Sequence, residues 1–211
     1  MKPILLLALA FLLPACSAAP TTALPQVRLD VYATPAAGPW LQEAFRCARE
    51  QGVVLGVALD PEQANLMLHI GEPPVLTTPA FEIDREQILI VTNRESPVQN
   101  LTLEQARNLF AGRGDPAAQV WVYAPTDDVQ QAFDRLVMQG TGITSLARLA
   151  TSPQEMSDTL NAEKNAVGIL PRHWKAGTVR EVFSAGAVPV LAITQAEPEG
   201  ALKGLVACLQ K

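Results

Sequence analysis

Histidine is scarce in this 211-residue sequence: there are two, His69 and His173, with no ligand spacing between them. Metal centres draw on clustered histidine, cysteine and carboxylate, so no metal site is expected. The sequence also lacks G-x-S-x-G, H-E-x-x-H, a P-loop and C-x-x-C. No local signature of nucleophilic, metal-assisted or redox chemistry is therefore present. We expect no enzyme and no cofactor, since a reactive constellation is not found. Charge is sparse too, at 18% of residues with a net charge of −5. A nucleic-acid partner needs a basic face, so none is expected. No apolar run, the N-terminal one included, is long enough to span a bilayer as a permanent helix. What is abundant is apolar residue, 48% of the chain. That marks a globular chain with room for one domain or two small lobes.

The N-terminus carries the strongest single signal. Lys2 precedes the apolar run Ile4–Leu13, which ends in small residues. Residues 1–15 read as a secretory signal peptide. The junction Leu13-Pro14-Ala15-Cys16 resembles the bacterial lipobox, with Pro14 in place of the usual small residue. On that resemblance Cys16 is lipid-modified and begins the mature chain. An ordinary cleaved signal with an incidental cysteine is the plainer alternative. Residues 16–26 are small, polar and Pro-containing and read as a flexible tether. The expected location is extracytoplasmic, anchored to a bacterial membrane through acyl chains on Cys16. Two cysteines remain, Cys47 in an early helix and Cys208 in the last. Outside the cytoplasm thiols tend to pair. A disulfide between them and two unconnected buried thiols both stand open at this point.

Strands and helices alternate along the body. Strands are expected at 28–33, 53–59, 64–70, 87–92, 120–124, 147–151, 166–170 and 188–193. Helices are expected at 40–50, about 103–111, from 129, at 154–162 and at 201–210, from apolar stripes of helical period. Thr102 with Gln105 makes a capping-box pattern, and Ser152-Pro153 a good helix start. Such alternation is the α/β pattern with mostly parallel sheets. Ligands then bind beyond the carboxyl ends of the strands.

The segment ILIVTNRESPVQNLTLEQARNLFAGR (88–113) is similar to the crossover segment of the phosphate-type periplasmic substrate-binding proteins. The resemblance continues through VWVYAP (120–125), VQQAFDRLV (129–137) and AVGILP (166–171), and covers roughly residues 86–172. It implies an α/β, two-lobed type II periplasmic-binding-protein fold, with a central mostly parallel sheet in each lobe and ligand in the cleft between them. Lobe 1 would be residues 27–85 plus 186–211, and lobe 2 residues 86–185. The implied role is delivery of a small solute to an ABC transporter permease, or sensing.

The family's oxyanion site lies on corners that this sequence has changed. Where the family has Ser-Gly-Thr ahead of the lobe 2 helix, the chain has Pro125-Thr126-Asp127-Asp128. A carboxylate there takes helix N–H groups that an anion needs and repels the anion itself. Aspartate is also a favoured N-cap, so both are read first as helix caps. The turn after the first strand offers one hydroxyl, Thr34, and the turn Gly71-Glu72-Pro73-Pro74 is acidic. The candidate ligand-contacting residues are Thr34, Gly71, Glu72, Thr126, Asp127, Asp128 and Arg172. A solute other than phosphate is expected. The alternative is a degenerate cleft in a membrane-surface sensor or interaction module.

Overall fold

The computed structural model describes residues 27–211. The signal peptide (1–15) and the whole tether (16–26), Cys16 included, lie outside the described residues. Eight strands form one continuous sheet: β1 (Arg28–Ala33), β2 (Val54–Val57), β3 (Leu66–Ile70), β4 (Ala80–Thr92), β5 (Gln119–Val122), β6 (Arg148–Leu149), β7 (Ala166–Pro171) and β8 (Arg180–Thr194). Five α-helices flank it: α1 (Gly38–Glu50), α2 (Leu103–Phe110), α3 (Asp128–Phe133), α4 (Pro153–Ala162) and α5 (Gly200–Leu209). No described helix is long and apolar enough to cross a membrane.

The strand order is β2-β1-β3-β8-β4-β7-β5-β6. Two parallel trios stand at the flanks, β2-β1-β3 and β7-β5-β6. Between them run β4 and β8, antiparallel to each other and to their outer neighbours. These two long strands join an α/β half on each side, which makes the two halves' sheets continuous. The result is a mixed α/β fold of the type II periplasmic-binding kind, parallel within each half.

The sequence reading places only the apolar halves of the crossover strands, at 87–92 and 188–193. The structure extends them to 13 and 15 residues. The missed part of β4, Ala80–Glu86, alternates Phe81 and Ile83 with Glu82 and Asp84. Its outer face is charged because it reaches solvent, and short alternation of that kind gives a weak signal. Breaks in β4–β8 register at Glu82/Asp84, Ile88/Leu89 and Ile90/Val91 bend the pair where it passes from one half to the other.

Local chemistry sets the other elements much as the sequence suggests. Thr102 and Gln105 exchange both bonds of a capping box at the start of α2. The Ser152 hydroxyl accepts from the Glu155 N–H, and Pro153 opens α4. α1 buries Trp40, Ala44, Cys47 and Ala48. α5 packs on it through Leu205, Val206, Cys208 and Leu209. Where α1 and α5 meet, Cys47 and Cys208 are joined in a disulfide with Cα atoms 5.9 Å apart, inside the bonding range. The helix from Asp128 is short, because it widens into a π turn at Asp134–Met138.

Candidate functional site

The carboxyl ends of β1 and β3 on one side, and of β5 on the other, point toward the junction of the two halves. β5 ends at Val122; Tyr123–Asp127 form the corner, and α3 begins at Asp128. Asp127 holds the N-cap position, but its side chain takes no helix N–H. It turns back and accepts from the Ala124 N–H at 3.1 Å. Burial pushes the Asp127 carboxyl above its ordinary range, opposed by the Ala124 N–H, with the charge of Asp128 adding to the rise. Tyr123 is pushed up as well, first by burial and then by the two aspartates.

Asp128 behaves differently. It is 3% exposed. One carboxylate oxygen accepts from the Val129 N–H at 2.8 Å, within its own helix. The other reaches across the junction and accepts from the Thr34 hydroxyl at 2.5 Å and the Ile70 N–H at 2.9 Å. Thr34 follows β1, and Ile70 ends β3. Three donors from both halves thus converge on one carboxylate, with charge-assisted bonds that are stronger than neutral ones. The acidic corner is therefore more than a helix cap. What remains open beside it is a cavity of about 10 Å³ lined by Pro35, Ala36, Tyr123, Asp127, Asp128 and residues at the start of α4. That is room for about one water at most, and too little for an oxyanion.

A second clasp lies at the foot of β7. The turn Arg172–Trp174 leans on the start of α1. The Trp174 indole N–H donates to the Ala36 carbonyl at 2.8 Å, and its ring covers Gly38, where a Cβ would sit 3.2 Å away. Trp40 meets His173 edge-on at 4.7 Å and donates to Asp84 at 3.0 Å. Glu86, 1% exposed on β4, gathers the Arg172 N–H at 3.0 Å and lies 2.7 Å from His173 Nδ1.

Of the residues singled out from sequence, Thr34 and Asp128 are in direct contact, Asp127 lines the same small cavity, and Gly71 directly follows Ile70. Gly71 has φ +72°, and a Cβ there would lie 2.9 Å from the Arg135 guanidinium, so glycine lets the halves approach. Glu72 and Thr126 are exposed, and the Arg172 guanidinium turns outward to Glu181. Sequence reasoning did not find Ile70, which acts through a backbone N–H that no side chain advertises. It also passed over Glu86, whose role appears only once β4 and the turn after β7 are side by side. No metal-holding group of His, Cys, Asp or Glu occurs among the described residues.

The comparisons bear on the fold. No family model matches the chain, and no curated protein matches it. Solved structures do match. A candidate phosphate ABC transporter substrate-binding protein with bound phosphate, from Clostridium perfringens, superposes with a TM-score of 0.74 at 14% identity, over 86% of this chain and 92% of that one. An ABC-type phosphate transport receptor from Vibrio cholerae gives 0.67 at 15%, over 87% and 93%. A CcmR regulatory domain from Synechocystis, in complex with 2-PG, gives 0.68 at 10%, over 88% and 96%. These likenesses define a type II periplasmic-binding fold, shared by transport receptors and by regulatory domains. The neighbours are binding proteins and regulators by description.

Proposed function

We propose that this chain is an extracytoplasmic, lipid-anchored domain of the binding-protein type whose cleft is occupied by its own Asp128. It works at the membrane surface as a sensor or protein-interaction module and does not take up phosphate. The observation that carries this reading is the placement of Asp128. Its carboxylate uses the Thr34 hydroxyl, the Ile70 N–H and the Val129 N–H, donors of the kind that a bound anion would need. A free anion would have to displace a covalently tethered competitor at very high effective concentration and would meet its charge. The reading keeps Cys16 as the lipid anchor, residues 16–26 as the tether, and lobes at 27–85 plus 186–211 and at 86–185. It assigns no catalysis.

The sparse joining of the halves favours a second reading, a solute-binding protein with altered specificity that serves an ABC transporter permease. Three hydrogen bonds, Thr34 to Asp128, Ile70 to Asp128 and Trp174 to Ala36, would break on opening, and the β4–β8 pair carries register breaks suited to a hinge.

Thermal unfolding of the purified protein against phosphate, sulfate, molybdate, amino acids, peptides and sugars separates the readings. A ligand at about 100 times its Kd adds about 2.7 kcal/mol and raises the midpoint. No shift is expected with any of them. A shift with phosphate overturns both readings, and a shift with another solute selects the second.

A further inference from the structure

A larger groove lies beside α3, with Tyr123 lining both it and the small cavity at Asp128. It has a volume of about 340 Å³ and apolar walls from Val122, Pro125, Ile143, Ala147 and Leu149. Leu149 is 60% exposed, so apolar surface here meets solvent. Gln130 and Asp134 supply polar groups to the same groove. The helix widens at Asp134: the Gln139 N–H donates to the Asp134 carbonyl five residues back, at 2.7 Å. Such π turns are rare and concentrate at functional sites. The Gln130 amide is fixed at both ends. Its oxygen accepts from the Tyr123 N–H at 3.0 Å, and its nitrogen donates to Asp134 Oδ1 at 2.9 Å. That contact orients the Asp134 carboxylate. No ion pair among the described residues involves it. Burial pushes its carboxyl above the ordinary range, with the Gln130 bond opposing.

We propose that this groove binds a small organic cation, an alkyl- or arylammonium whose apolar body lies along Leu149, Ile143 and Pro125 while its ammonium pairs with Asp134. The volume falls within the range of small-molecule sites, which combine apolar walls with a few fixed polar groups. An anion is repelled by Asp134, and a neutral apolar ligand would cover that carboxylate with the Gln130 amide as its one partner and no countercharge. An ammonium supplies both a countercharge and a hydrogen-bond donor.

Benzylamine titration of the purified protein by calorimetry, with benzyl alcohol and benzoate as controls, tests the site. Saturable binding is expected for benzylamine alone. Asp134→Asn, which keeps the acceptor for Gln130, should weaken it by about tenfold or more. Leu149→Lys, at an exposed wall position, should weaken it as well by adding a competing positive charge. Amide shifts in a labelled sample should cluster at residues 143–149. The proposal fails if no saturable binding occurs or if benzyl alcohol binds equally. It also fails if both variants bind as the parent does, or if the shifts centre on Thr34 and Ile70 instead.

Discussion

At the scale of single residues, Asp128 makes the strongest statement. Truncating it removes three charge-assisted bonds and leaves the buried Ile70 N–H and the half-buried Thr34 hydroxyl without their partner. Each stranded group costs about 1–3 kcal/mol. Asp128→Ala should therefore lower stability by about 2–4 kcal/mol, read from urea unfolding. The vacated space is shaped for one carboxylate, so formate should restore part of the loss, whereas the parent protein should not respond. Absence of both effects would mean that Asp128 does not occupy the cleft in solution. Its neighbour Asp127 adds a pH dependence. The folded state raises the Asp127 carboxyl, so it favours the protonated form. That contribution is full below the ordinary aspartate range and is lost as pH rises through the raised value. Asp127→Asn removes the loss. The variant should melt higher than the parent at pH 7 and show no such gain at pH 3. A gain that persists at pH 3 would point to better capping and away from relieved charge burial.

At the scale of elements, the two ends of α2 and α4 were legible and the crossover strands were half so. Thr102-x-x-Gln105 states its own boundary, because capping needs specific atoms at a fixed offset. Thr102→Ala should cost about 1 kcal/mol, measured as a shift in urea midpoint at constant slope. β4 was seen from Gln87 and missed from Ala80, since its first half presents Glu82 and Asp84 to water. β8 was seen from Val188 and missed from Arg180 for a related reason: Ser184, Ala185 and Gly186 interrupt the apolar run. The candidate site follows the same rule. Thr34 and Asp128 were visible as residue types at strand-to-helix corners. That they touch depends on the sheet order, which brings the ends of β1 and β3 opposite α3 and which no local pattern encodes. Ile70 and Glu86 belong to that tertiary level entirely.

At the scale of the whole molecule, the disulfide defines how the chain is closed. Cys47 and Cys208 are separated by 161 positions, and everything from β2 to β8 lies between them, including the whole α/β half that carries α3. Such a long loop loses much conformational freedom in the unfolded state, and removing a native bridge of this kind costs about 2–5 kcal/mol. Both cysteines sit between α1 and α5, at 0% and 9% exposure. Reduction in the native state should therefore be slow and should accelerate in mild denaturant. Unfolding in urea with and without reductant should show a clear fall in midpoint on reduction. The Asp128 contact provides an internal control, because it joins the two halves directly and does not depend on the ends of the chain. If the bridge acts mainly on the unfolded state, the reduced protein and Asp128→Ala should each lose stability, and the two losses should add to within about 0.5 kcal/mol. A strongly non-additive result would mean that the disulfide also positions α1, and through it Thr34, against Asp128.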